Sequence, residues 1–126
     1  MERTWSLWTG TVLAAPTNVP GVRDGSASGT DSAGKLWLFG GEAPSGVSTI
    51  NFFNDLWMFS PTTKQWTWVS GAATTGALGS YGTLGTAAPG NTPGARAGAV
   101  AWTDNAGNHW LYGGGNLNTY SDLWKF

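Results

Sequence analysis

Short apolar runs separated by glycine-rich and polar turns recur along the chain, and their length fits strands better than helices. Two of them, KLWLFGG from Lys35 and HWLYGG from His109, are apolar almost throughout, which is typical of strands buried on both faces. The turn sequences Ser32–Lys35 and Asn105–Asn108 overlap or precede these runs and predict hairpins. No stretch shows the 3.6-residue apolar period of an amphipathic helix. The pattern predicts an all-β protein.

The chain also contains an internal repeat. Residues 14–41, AAPTNVPGVRDGSASGTDSAGKLWLFGG, align without a gap with residues 87–114, AAPGNTPGARAGAVAWTDNAGNHWLYGG, and 16 of these 28 positions are identical. The match resumes at residues 54–59, NDLWMF, and 121–126, SDLWKF. Equivalent residues are therefore 73 apart in the first segment and 67 apart in the second.

Each repeat predicts four strands. The second strand lies in the apolar runs and the third in the two DLW segments. The first is predicted at Arg23–Asp31 and Arg96–Asp104, and the fourth at Gln65–Ser70 and Thr4–Thr9. A repeat of four strands is typical of one blade of a β-propeller.

The fourth strand of the second repeat is expected at the opposite end of the chain. Residues 2–10, ERTWSLWTG, align with residues 63–71, TKQWTWVSG, which places Trp5 on Trp66. We therefore expect Thr4–Thr9 to pair beside the DLWKF strand of a neighbouring copy and to close the second blade between chains.

These alignments predict one two-blade unit over residues 1–126. Its first blade spans 20–71, strands a to c of its second blade span 93–126, and residues 2–10 supply the closing strand. Two blades leave apolar faces in water, so we expect copies to complete a ring. Each chain supplies eight strands at four per blade, and therefore two blades, so the blade number of the ring is even. Six blades from a homotrimer are favoured over eight from a tetramer.

Glycine pairs and spaced aromatic residues carry a family resemblance. A Gly-Gly pair ends the second strand of each repeat, Asp-Leu-Trp-x-Phe follows, and a Trp stands seven residues after the first Phe. This combination resembles the kelch repeat of bacterial and galactose-oxidase-like propellers, and it implies a ring of generally six or seven blades. The chain departs from the family by Phe where Tyr is usual and by a long loop between blades. The motif residues are Gly40, Gly41, Asp55, Trp57, Phe59, Trp66, Gly113, Gly114, Asp122, Trp124, Phe126 and Trp5.

Composition limits the possible functions. The net charge is -1 and 10% of the residues are charged, whereas nucleic-acid binding needs a basic patch. The N-terminus lacks the apolar core of a signal peptide, and no window is long and apolar enough for a transmembrane helix, so we expect no membrane association. There is no Cys, and nothing in the sequence indicates a cellular location.

The sequence offers little for catalysis. His109 is the single His, and the repeated carboxylates Asp31/Asp104 stand beside turns. We therefore expect no enzyme activity, cofactor or metal, and interpret the chain as a scaffold or binding module with a protein or glycan ligand. The alternative is a carbohydrate-binding lectin that stacks sugars on Trp. Candidate ligand or channel residues are Arg23, Arg96 and Trp102. For the first two, a structural role that ties loops through hydrogen bonds is favoured over the lining of a channel. Trp102 stands where the first repeat has Gly29.

Overall fold

The computed structural model describes residues 2–4 and 13–126. These residues form strands, turns and loops and no helix, so the predicted all-β class is confirmed. The strands are β1 Glu2–Thr4, β2 Ala27–Thr30, β3 Leu36–Pro44, β4 Ile50–Ser60, β5 Gln65–Ser70, β6 Val100–Thr103, β7 His109–Tyr112 and β8 Leu123–Lys125. With no helix of any kind, the described part of the chain has no helical segment that could cross a membrane.

The first repeat forms one antiparallel sheet in the order β2-β3-β4-β5. Its fourth strand has the predicted bounds, while its first strand is shorter than predicted and begins at Ala27. The backbone turns before this point, because Gly25 has a φ of 63°, a left-handed conformation that glycine adopts without strain. Asp24 keeps only an isolated bridge to Glu42.

The second repeat forms the sheet β1-β8-β7-β6. Strands β6, β7 and β8 are antiparallel, whereas β1 runs parallel to β8 and places Thr4 opposite Lys125 of the same chain. In the first sheet, by contrast, β5 is antiparallel to β4. Residues 5–9 of the predicted closing strand lie outside the described residues, so pairing of Thr4–Thr9 with a neighbouring chain stays a prediction.

The two sheets pack face to face through aromatic side chains. The Trp37 ring lies 5.2 Å from the His109 ring and 6.1 Å from the Phe126 ring, measured between centroids. At the edge of this contact, the Thr103 hydroxyl donates to the Thr30 carbonyl at 3.1 Å. Strands β2 and β6, the first strand of each repeat, are therefore neighbours.

Backbone hydrogen bonds join the sheets on either side of this cluster. The Gly41 amide donates to the Arg96 carbonyl at 2.8 Å, and the Arg96 amide donates to the Phe53 carbonyl at 3.0 Å. The Gly98 amide donates to the Gly25 carbonyl at 2.8 Å. Such bonds fix both the distance and the register of the two sheets, since each needs specific geometry.

Candidate functional site

An arginine-carboxylate pair ties each repeat together. In the first repeat, the two terminal nitrogens of Arg23 donate to the two carboxylate oxygens of Asp55 at 2.6 and 3.0 Å. The Trp57 indole donates to the same carboxylate at 2.7 Å, and Arg23 also donates to the Gly40 carbonyl at 3.1 Å. One guanidinium thus joins the loop before β2, the bulge in the middle of β3 and strand β4.

The second repeat reproduces this network at equivalent positions. Arg96 donates to the two oxygens of Asp122 at 2.5 and 2.9 Å, and the Trp124 indole donates to Asp122 at 2.8 Å. Arg96 also donates to the Gly113 carbonyl at 2.9 Å. The Arg side chains are 6% exposed at position 23 and fully buried at position 96. Of the two roles expected for them, the geometry matches the structural tie.

A tyrosine that the repeat alignment did not single out joins the second network. The Tyr81 hydroxyl, from the long loop between the repeats, donates to Asp122 at 3.1 Å. Burial and the Asp122 charge raise the pKa of Tyr81. Burial alone would raise the pKa of Asp122, but hydrogen bonds from Arg96 and Trp124 outweigh it and lower that pKa. Asp122 therefore stays charged as the centre of the network.

A second carboxylate-indole pair holds each hairpin turn. Asp31 accepts from the Trp37 indole at 2.9 Å, and Asp104 accepts from the Trp110 indole at 2.8 Å. Each Asp also accepts two backbone amides from its own turn. Hydrogen bonds from Asn108 and Trp110 lower the pKa of Asp104. These bonds match the turn role expected for both carboxylates.

The glycine pairs occupy positions where a side chain would be strained. All four have positive φ, from 63° at Gly40 to 105° at Gly41. A Cβ on Gly41 would lie 2.7 Å from the Asp24 carbonyl oxygen, and one on Gly114 would lie 2.6 Å from that of Ala97. Among the other motif residues, the rings of Phe59 and Trp66 are 5.1 Å apart, while Trp5 lies outside the described residues.

The burial of equivalent residues shows how the sheets are oriented. Phe39 is 3% exposed and Ala27 is 6% exposed, because their face of the first sheet packs against the second. Their equivalents in the second sheet, Tyr112 and Val100, are 47% and 60% exposed. The face that is covered in the first repeat is therefore open in the second.

The opposite faces show the reverse. Leu111 and Trp124 are buried in the second sheet, whereas their equivalents Leu38 and Trp57 are only partly buried in the first. Leu36, equivalent to the half-buried His109, is exposed. The sheets thus pack front to back, with unlike faces in contact, and each open face is the counterpart of a covered one.

The open faces carry large aromatic side chains. Trp102 stacks on Trp110 with ring centroids 6.1 Å apart and planes 4° from parallel, and the Lys125 ammonium lies 5.5 Å from the Trp110 ring. On the first sheet, Trp68 is exposed and lies opposite Trp57 in the register of β4 and β5. Of the three candidate ligand residues, Trp102 is therefore the one exposed on a sheet face.

His109 lies in the cleft between the sheets and not on a polar surface. Its Nδ1 is 3.0 Å from the Thr103 hydroxyl, and its ring packs at a tilt against both Trp37 and Phe126, with each pair of ring centroids 5.2 Å apart. Burial lowers the pKa of His109 although Asp31 and Asp104 act in the other direction. Within residues 2–4 and 13–126, no three metal-ligating side chains come together.

The sequence was compared with known families and with curated proteins. No family model matches the chain, and no curated protein matches it significantly. The kelch resemblance accordingly depends on the motif residues and on the two networks they form.

Proposed function

We propose that this chain is a two-blade protomer of a kelch-type β-propeller, which closes into a ring by association of copies and acts as a non-enzymatic scaffold and binding module. The observation that supports the proposal is the front-to-back packing of the two repeats. A protomer with this packing carries both halves of a second interface, one on each outer face.

The open faces are costly for an isolated protomer. They expose Leu36, Trp68, Val100, Trp102 and Tyr112. Burying a large apolar side chain contributes about 1.5–3 kcal/mol, and soluble monomers rarely leave such contiguous apolar surface in water. Association of outer faces removes it.

Unlike faces in contact make a head-to-tail interface. Such an interface gives a closed ring when the rotation between copies closes, and a filament when it does not. Propellers have about four to eight blades, so three copies give six blades and four copies give eight. We favour three, as the kelch resemblance implies six or seven blades.

Native mass spectrometry of the purified chain over a range of concentrations tests the proposal. We expect a discrete species of three chain masses. Four masses would keep the ring and reject the homotrimer. A folded monomer, or an open series of masses that grows with concentration, would overturn the proposal.

One observation favours the lectin alternative. Two indoles, Trp68 and Trp102, are exposed on the described surface, and carbohydrate stacking requires an accessible aromatic face. In the scaffold, a neighbouring copy would cover these rings, whereas in a lectin a bound sugar would cover them. Quenching or a blue shift of Trp fluorescence on titration with simple sugars would favour the lectin, provided that Trp102→Phe or Trp68→Phe abolishes it. The control variant Trp37→Phe should keep the response of the parent chain. An unchanged spectrum with every sugar favours the scaffold.

A further inference from the structure

We infer that neighbouring copies dock through the same front-to-back interface that joins the two sheets of one chain. The open face of β6, β7 and β8 of one copy packs on the outer face of β2 to β5 of the next. This inference rests on the proposed function, because it names the partner surface by which the ring forms.

The internal repeat predicts the contacts of this interface. Within the chain, the aromatic cluster consists of Trp37 from one repeat with His109 and Phe126 from the other. The equivalent residues are Trp110, Leu36 and Phe59. Trp110 of one copy should therefore lie between Leu36 and Phe59 of the next copy. All three are at least partly exposed in a single chain and available for this contact.

The backbone supports the same docking. The bond from the Gly41 amide to the Arg96 carbonyl has its counterpart in the Gly114 amide and the Arg23 carbonyl. In the described part of the chain, the amides of Gly114 and Arg23 make no backbone hydrogen bond. A neighbouring copy in the inferred position supplies an acceptor for each amide. The Arg23 amide of one copy would donate to the Tyr120 carbonyl of the other, just as the Arg96 amide donates to the Phe53 carbonyl within the chain.

One difference between the two repeats distinguishes the interface between copies from the interface within the chain: Gly29 of the first repeat is Trp102 in the second. A Cβ on Gly29 would lie 3.6 Å from the Thr103 hydroxyl. The equivalent pair between copies is Trp102 and Thr30, so an indole replaces a hydrogen atom on the first strand. The interface between copies is therefore larger at this strand than the one within the chain.

Disulfide trapping tests the inference, and the absence of Cys from the chain makes the result unambiguous. Thr30→Cys and Trp102→Cys are prepared separately, mixed and oxidised. We expect a covalent dimer in the mixture and none from either variant alone, because a head-to-tail contact joins unlike positions. Gly29→Cys/Thr103→Cys is the matched control. It should form the equivalent bond within one chain and remain monomeric on denaturing gels.

The outcomes separate this inference from the proposed function. A dimer from Trp102→Cys alone would mean that like faces meet, which overturns the inference. The ring-forming function is tested separately, by the number of chains that native mass spectrometry finds in the oligomer. An oligomer of normal mass with no bond in the mixture also overturns it. A monomeric parent chain overturns the proposed function itself.

A second pair of variants guards against misfolding of Trp102→Cys. Val100→Asp places a carboxylate on the inferred interface, and Val47→Asp places one on an exposed hairpin loop away from it. We expect Val100→Asp to weaken association by about 100-fold or more, because an unpaired charge buried in a contact costs several kcal/mol. Val47→Asp should associate like the parent. Equal association of the two variants would overturn the inference.

Discussion

Replacing Asp122 by Asn tests the buried network on which the second repeat depends. The substitution keeps the shape of the side chain and removes its charge. Arg96 is fully buried and has Asp122 as its ion-pair partner. The amide also replaces one acceptor oxygen by a donor, so the Trp124 indole, the Tyr81 hydroxyl and two Arg96 nitrogens compete for a single acceptor.

The expected loss of stability follows from this geometry. Breaking a buried ion pair by removing one partner costs about 3–5 kcal/mol, because the remaining charge is left uncompensated. Domains of ordinary size have a total stability of about 5–15 kcal/mol. Asp122→Asn should therefore remove roughly a fifth or more of the free energy of unfolding, and lower the melting temperature by roughly 10 °C or more.

Urea and thermal denaturation, followed by Trp fluorescence at one fixed protein concentration, measure this loss. The concentration must be fixed because association adds to apparent stability. Asp24→Asn is the matched control, since Asp24 is exposed and no side-chain bond to it is present in the described residues. Its free energy of unfolding should change by less than about 0.5 kcal/mol.

Two results would refute the reasoning. One is a free-energy loss for Asp122→Asn no larger than that for Asp24→Asn. The other comes from the double variant Arg96→Met/Asp122→Asn, which has no buried charge left to compensate. We expect it to recover part of the loss, since much of the loss on breaking a buried ion pair comes from the charge that is left uncompensated. Additive losses would show that the uncompensated charge is not the cause.

Three further outcomes are expected. Gly40→Ala should lower the free energy of unfolding by about 1–3 kcal/mol because of the positive φ at this position. It should lower it further because the added Cβ would lie 2.6 Å from the Arg96 carbonyl oxygen. Gly21→Ala, with open space around it, should leave the free energy of unfolding unchanged in the same denaturation assay. Because burial lowers the pKa of His109 from 6.5, its stabilising contribution is complete above pH 6.5 and is lost as the pH falls through the lowered value. His109→Leu introduces the residue found at the equivalent position, Leu36. It should reduce the fall in melting temperature as the pH drops below 6.5, and an unchanged dependence of melting temperature on pH would contradict this. Deleting residues 2–9 removes β1, which covers the edge of β8 in its own chain, together with the predicted closing strand. The exposed edge should abolish the oligomer, and an oligomer of unchanged number in native mass spectrometry would reject the closing strand.

Much of the fold could be predicted because local pattern and repeat agree. Apolar runs, Gly turns and the DLW segments place seven of the strands close to their observed positions, and Gln65–Ser70 has its predicted bounds. The first strands were predicted too long because the sequence alone does not show where Gly25 turns the backbone. The partners of Arg23 could not be predicted either, since Asp55 lies 32 residues away and only the fold brings them together.

Gly115 shows where alignment of repeats misleads. It aligns with Glu42, which predicts that a side chain is tolerated there. This prediction is wrong, because a Cβ on Gly115 would lie 2.7 Å from the Asn118 carbonyl oxygen. The second repeat has a shorter loop after this point, and its tight turn folds back over Gly115. Equivalent positions share an environment only where the segments that follow have equal length.

The difference between Gly29 and Trp102 bears on how many copies would close a ring. If copies dock as inferred, two kinds of interface alternate around the ring, one within each chain and one between chains. Three copies require the two rotations to add to about 120°, and four copies require about 90°, since the ring must close. Within the chain, the two sheets meet at the Trp37 cluster and at Gly29. The rotation between chains has an indole in place of that glycine, on the first strand, where the two sheets come closest. Trp102 is therefore a position at which a single side chain changes the rotation between chains and leaves the rotation within the chain unchanged, and copy number in this protein should be sensitive to it.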